Sequence, residues 1–251
     1  MRSEDDHRKE FADFTEAGYR ELLQLAKKNY RFASYGDAAQ DRHILWRHDL
    51  DASMNRALRL AEIERDEGVK ATYFVFPRCL FYNILNQFTK DAARRIVEMG
   101  HDIALHFDPT QYRSGLSRAA LLEAISGERE LLQREIGVAP TAVSFHLYGV
   151  LEEPMPDDDV IAWLANAYSK RLRDTYSYTS DSNGVWMYRR LRDVLSEACE
   201  DRLQILTHPE WWTPETMPPR ARLQRAIDGY AALMGRWYDD IVAKSGRPNI
   251  R

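Results

Sequence analysis

Ile44-Leu45-Trp46-Arg47-His48-Asp49-Leu50-Asp51 is the stretch on which the reading of this chain turns. Three apolar residues lead a strand-like run that ends in carboxylates. In an extended chain successive side chains point to opposite faces, so Asp49 and Asp51 project to one side, with Arg47, and Leu50 to the other. Two carboxylates side by side repel, so one is readily given to a metal while the other keeps a pKa suited to base work. The plainer reading is a helix-capping Asp beside a surface Asp ahead of Ser53.

Outward from this stretch the chain alternates short apolar runs with helical ones. Strands are expected over 44–49, 71–76, 102–107, 142–146, 176–180 and 203–207, and helices over 15–28, 53–66, 90–98, 117–136 and 189–200. Gly68, Gly100 and Gly137 stand where a helix turns back into a strand through a left-handed cap. Leu223, Ile227, Tyr230, Met234, Trp237 and Ile241 recur at steps of four and three, one apolar stripe on a last helix that starts near Pro218 and Pro219 and stops near Gly246. The alternation predicts parallel α/β architecture in one domain over 1–251, with a helical lead-in over 1–43 and the long helix of 216–245 packed on the barrel.

The polar residues with chemistry in them fall at the C-terminal ends of the expected strands: Asp49 and Asp51, His106 and Asp108, His146, Asp181, and His208. In a parallel barrel that rim carries the active site. His101 begins its strand, at the opposite end, and reads as structural, while His7 and His43 read as surface residues.

Composition narrows the partners. Of 251 residues 44% are hydrophobic and 29% charged, and the net charge of -4 gives no basic face for nucleic acid. The charged start Met1-Arg2-Ser3-Glu4-Asp5-Asp6 does not read as a secretory signal, and no apolar run is long enough to span a bilayer. Cys79 and Cys199, without framework spacing, read as reduced thiols, so the expected location is cytoplasmic.

Arg47-His48-Asp49-Leu50-Asp51, then Ala71-Thr72-Tyr73-Phe74, then Gly100-His101-Asp102-Ile103-Ala104-Leu105-His106 together resemble the polysaccharide deacetylases of the NodB-homology, carbohydrate esterase type, in order and spacing from about residue 44 to His208. Asp181-Ser182 and His208-Pro209-Glu210-Trp211-Trp212 further resemble a subgroup associated with bacterial surface-polysaccharide (O-antigen) gene clusters. The resemblance implies a distorted (β/α) barrel of about seven strands. It also implies a divalent metal, zinc by ligand type, and hydrolysis of an N-acyl group on an amino sugar or sugar nucleotide. By the same resemblance Asp49 is the general base, Asp51 and His106 are metal ligands, and His208 is the general acid, with Glu210 orienting or charge-tuning it.

The resemblance breaks at Thr110, where the family has its second ligand histidine. Neutral threonine is a poor zinc ligand. His146 is the preferred substitute and Asp108 the alternative, with a hydrogen-bonded rim residue as the plainer reading of His146. Asp181 either holds His208 or meets a sugar hydroxyl, unless Asp181-Ser182-Asn183-Gly184 is only good turn chemistry. Trp211, Trp212, Trp186, Tyr82, Tyr112 and Tyr148 offer flat rings for a carbohydrate cleft, or else clamp the last helix to the barrel, the reading preferred for Trp237. Two rivals stand beside the hydrolase. One is the same fold with altered chemistry; the other is a saccharide-binding barrel that has lost its full metal site.

Overall fold

The computed structural model describes residues 4–37, 41–112, 117–147 and 156–250. Nine strands form one sheet: β1 (Arg31–Ala33), β2 (His43–Asp49), β3 (Thr72–Val75), β4 (Asp102–Phe107), β5 (Ala142–Phe145), β6 (Val160–Ile161), β7 (Leu164–Asn166), β8 (Ser177–Ser180) and β9 (Arg202–Thr207). Their order is β6-β7-β5-β4-β3-β2-β9-β8, with β1 beside β2. All neighbours are parallel except β6 and β7, which form a hairpin. The architecture is α/β, as expected. The three strands that the sequence did not announce, β1, β6 and β7, are two or three residues long, too short to carry a periodic signal.

The sheet curls without closing. Gln204 on β9 donates Nε2–H to the Ala167 carbonyl beyond β7 at 3.2 Å, and Arg47 on β2 donates to the Tyr168 hydroxyl at 2.8 Å. These bonds cross the interior between strands far apart in the sheet order. Among the described residues β6 and β8 do not pair with each other, so the barrel is open.

Alternation along β2 sorts its side chains between two environments. Leu45 joins Ala33, Phe74, Ala104 and Ala142 in a small inner core, while Ile44 and Trp46 join the larger core under the helices. Arg47 and Asp49 therefore face inward and His48 outward. The outer layer is built by α2 (Glu16–Ala26), α3 (Met54–Glu67), α4 (Gln87–Glu98) and α5 (Arg118–Ile136). Ser53 caps α3 through a bond from Arg56 N–H, and Gly68 ends it in the left-handed conformation at φ 68°.

His48 is fully buried, so its ring nitrogens need partners. Nδ1 meets Thr207 Oγ1 on β9 at 2.7 Å and Nε2 meets Glu64 Oε1 on α3 at 2.6 Å. Glu64 also accepts from the hydroxyls of Tyr19 and Tyr73. Burial alone would raise the Glu64 carboxyl, but the charge and hydrogen bond of His48 beside it, with His101 and Tyr19, hold it below the usual carboxylate range. His101 is structural, as its position implied: it accepts from Ala71 N–H at Nδ1, and its Nε2 lies 3.1 Å from the Ala61 carbonyl. His43, expected at the surface, is instead buried between the Asp41 carbonyl and the Tyr176 hydroxyl.

The last helix, the eighth of the chain and labelled α8 (Pro219–Lys244), corrects one expectation. Arg222 near its start is buried and bonds the Gly184 and Phe11 carbonyls. Beyond it the apolar stripe leaves the body: Met234, Trp237 and Ile241 are 50%, 62% and 42% exposed. Trp237 therefore clamps nothing. No helix among the described residues is long and apolar enough to cross a membrane.

Replacing Glu64 by Leu should lower unfolding stability by about 3–5 kcal/mol, because it strands two buried hydroxyls and an imidazole. Denaturant unfolding measures this; a loss of under about 1 kcal/mol would mean the network carries no stability.

Candidate active site

The β4–β5 register builds the centre of the rim. His106 pairs with Ser144, so His146, two residues past Ser144, emerges beside His106 on the same side. Ser144 Oγ lies 2.6 Å from His106 Nδ1 and 3.4 Å from Asp49 Oδ1, to which it donates. A hydroxyl that donates to Asp49 must accept from the imidazole, and Asp49 Oδ2 at 3.5 Å from Nδ1 also favours a proton there. His106 thus keeps its proton on Nδ1 and turns the Nε2 lone pair into the site. Sequence reasoning assigned Ser144 no role; a small hydroxyl in an apolar strand gives no signal until the register is known.

That lone pair shares its space with two other donor atoms. Asp51 Oδ1 is 3.1 Å from His106 Nε2 and 3.5 Å from His146 Nδ1, and the two imidazole nitrogens are 3.1 Å apart. One atom from each of the three residues lies within 4.8 Å of the others. Asp51 Oδ1 is buried and takes part in no well-directed hydrogen bond, despite its two imidazole neighbours. Burial disfavours the ionised Asp51, but His106, His146 and His208 outweigh it and hold the carboxyl well below the usual range. Tetrahedral ligands about 2.0–2.1 Å from one ion stand about 3.3 Å apart. The donor set and its three edges therefore fit a divalent cation of the zinc class.

Asp108, the alternative third ligand, is otherwise engaged. Its carboxylate caps the turn Pro109–Gln111, accepting from Thr110 N–H at 2.9 Å, Thr110 Oγ1 at 2.7 Å and Gln111 Nε2 at 3.1 Å. Thr110, at the family's histidine position, is thus a partner of Asp108.

Asp49 sits beside this group, buried at 2% exposure. Arg47, fully buried two residues earlier on the same face, donates to its Oδ2 at 3.2 Å, and the guanidinium lies over the Tyr168 and Phe74 rings. On the other flank His208 Nε2 lies 3.7 Å from Asp51 Oδ2, while Nδ1 meets Asp181 Oδ1 at 2.7 Å. Burial would depress the His208 pKa, but the hydrogen bond and charge of Asp181, aided by Asp51 and Glu210, push it up to about 10. Glu210 is itself buried, and burial pushes its carboxyl up to about 8 against the attraction of His208. The His208 ring is held by Asp181.

No protein-family model matches the sequence, and no curated protein matches it. Among solved structures, a family 4 acetyl xylan esterase from Clostridium thermocellum, in complex with a cobalt ion, is 18% identical over 82% of this chain and 92% of its own, with a TM-score of 0.41. A Streptococcus pyogenes deacetylase in complex with acetate is 14% identical over 82% of this chain and 84% of its own, with a TM-score of 0.43. A CE4 family pseudoenzyme from Bacillus anthracis is 13% identical over 79% and 62%, with a TM-score of 0.45.

The remaining expected contacts are redistributed by burial. Asp181 is 0% exposed and accepts from His208 N–H and Trp212 Nε1–H, so it holds the histidine and meets no sugar hydroxyl. Trp212 and Trp186 are also 0% exposed, packed on Phe14, so neither offers a ring face to a sugar, and Tyr82 is buried with its hydroxyl on the Leu50 carbonyl. Trp211 is half-buried against the outer core. Tyr112 stacks on Phe107 and donates its hydroxyl to Glu128. Tyr148 lies outside the described residues.

Two measurements test this geometry. His146→Ala should lower metal affinity by at least about tenfold while Asp108→Asn leaves it near wild type, read by metal titration of the chelated protein; the reverse order would return the third position to Asp108. Asp181→Asn should lower the His208 pKa by roughly one unit or more, since a raised pKa falls when the anion that raised it is neutralised, and NMR titration of the imidazole reads it. An unmoved His208 titration would remove Asp181 from its role.

Proposed function

We propose that this protein is a metal-dependent hydrolase that removes an N-acyl group from an amino sugar or sugar nucleotide, acting in the cytoplasm in bacterial surface-polysaccharide (O-antigen) assembly. The observation that carries the hydrolase reading is the Asp51–His106–His146 triangle of donor atoms lying between a buried carboxylate, Asp49, and an imidazole, His208, that is held by its own carboxylate. The sugar substrate and biosynthetic setting rest on the motif resemblance, and the location on Cys79 and Cys199, read as reduced thiols.

Asp51, His106 and His146 would hold the cation, zinc by donor type. When bound, it lowers the pKa of a water and polarises the acyl oxygen. Asp49 takes the proton from the attacking water as the oxygen adds to the acyl carbon. Arg47 and Ser144 fix the Asp49 carboxylate on two sides, so it meets that water in one orientation. As the carbon–nitrogen bond breaks, His208 passes the proton on Nε2 to the departing amine. Asp181 bonds Nδ1 of that ring, which leaves Nε2 facing the site, and it stabilises the protonated imidazole. The products are the free amino sugar and the acyl group's carboxylic acid.

Asp49→Asn should reduce release of acetate from N-acetylated amino sugars and sugar nucleotides by about 10²- to 10⁴-fold, with metal content and melting temperature near wild type. Acyl release that survives both this substitution and full metal removal would overturn the mechanism. Wild-type, metal-loaded protein that binds these sugars without releasing acid would leave a saccharide-binding barrel.

A further inference from the structure

The short lead-in before α2 is built into the half of the site that holds His208. Phe14 is 0% exposed and sits where the loop after β8, the turn after β9 and the start of α8 meet. Its ring stacks on Trp186 at 5.0 Å and lies 5.2 Å from the Trp212 ring. The Arg222 guanidinium stands over it, 4.5 Å from its centroid. Backbone bonds pin the same place: Thr213 N–H donates to the Phe14 carbonyl at 3.1 Å, and Glu16 N–H to the Thr213 carbonyl at 2.9 Å. Asp13, beside Phe14 and also buried, accepts from Trp186 Nε1 at 3.0 Å and from Nε and Nη2 of Arg190 at 2.7 and 2.6 Å. A two-pronged bond between guanidinium and carboxylate is strong and directional. It ties the lead-in to the loop that begins at Asp181.

We propose that Trp212 and Phe14 are positioning residues for the proton donor, so that the lead-in completes the Asp181–His208 half of the site. The proposal rests on the hydrolase reading above. Its path is one of direct contacts. Trp212 donates Nε1–H to Asp181 Oδ2 at 3.0 Å, while Asp181 Oδ1 meets His208 Nδ1 at 2.7 Å and accepts from His208 N–H at 3.0 Å. Asp181 is 0% exposed, so water does not replace a lost donor, and without the indole N–H the carboxylate loses a bond that sets its rotation. The imidazole follows, because its Nδ1 is bonded to that carboxylate while Nε2 faces the site. Phe14 acts one step further back, by packing on both indoles and fixing the plane of Trp212. Tyr19 closes another side of Trp212, its ring 4.8 Å away. The three cation donors stand elsewhere: Asp51 just past β2, His106 on β4 and His146 just past β5. Loosening Phe14 or Trp212 therefore separates the two jobs of the site, slowing protonation of the leaving group while the metal donors stay in place.

Dependence on the leaving group tests the proposal, because para-nitrophenolate departs without a proton whereas a sugar amine needs one. In the zinc-loaded full chain Trp212→Phe, which removes the N–H and keeps an aromatic ring, should lower kcat for acetate release from N-acetylglucosamine or its uridine diphosphate form by at least about tenfold. Hydrolysis of para-nitrophenyl acetate and affinity for zinc should stay within about twofold of wild type. Phe14→Ala should show the same split, and Phe14→Leu should recover most of the loss. Proton NMR at a single pH supplies a readout free of turnover. The resonance of His208 Nδ1–H, sharp and far downfield in wild type, should broaden or vanish in Trp212→Phe and Phe14→Ala. Equal losses on the amide and the ester, or a resonance unchanged in both variants, overturns the proposal. A wild type that releases no acetate while the resonance still depends on Trp212 would sink the hydrolase reading alone and leave Trp212 holding the Asp181–His208 pair.

Discussion

Strand β2 carries polar side chains on both faces with almost no water on either, and the rest of the structure answers to that constraint. Arg47, His48 and Asp49 are all at most 2% exposed. A buried charge or imidazole without partners costs several kcal/mol, so each face must supply its own. On the outer face Glu64 and Thr207 satisfy His48, which ties β2 to α3 on one side and to β9 on the other. On the inner face Arg47 and Ser144 hold Asp49. Because Thr207 immediately precedes His208, the bond that settles His48 also fixes where the imidazole at the end of β9 stands relative to Asp49.

The site inherits its precision from strands. Asp49 ends β2, His208 directly follows β9 and His106 stands one residue before the end of β4, and the parallel register sets their relative heights. Ser144 and Asp181 then orient the rings from positions that water does not reach. Such fixed, hydrogen-bonded partners around the first donors are what tune a metal or acid–base centre. The arrangement separates two jobs within one cluster: Asp51 and the imidazole nitrogens face one another, whereas Asp49 and His208 stand to either side.

Aromatic residues show how little exposure can be judged from residue type. Trp212 looked like a sugar platform and proves to be core, its indole N–H spent on Asp181. Trp237 looked like a clamp and proves to be the more exposed of the two. Both follow from distance to the sheet. Trp212 sits one turn past β9, against Phe14 and Tyr19. Trp237 is carried more than four helical turns beyond the last buried residue of α8, Arg222, and is 62% exposed there.

By itself the sequence determined the α/β alternation and six of the nine strands, and it put Asp49, Asp51, His106 and His208 forward as candidates. Those features are local: apolar runs, left-handed glycine caps, and period-2 alternation that sets Asp49 and Asp51 on one side. Only the tertiary structure decided that His146 rather than Asp108 meets Asp51 and His106, because the choice depends on strand register and on the capping bonds that occupy Asp108. It alone chose, among the readings open for Asp181, the holder of His208, since burial is a property of what packs around a residue. The same reason hid Ser144 and Glu64: a hydroxyl or carboxylate in a strand or helix has no meaning in sequence until folding brings its partners within about 3 Å.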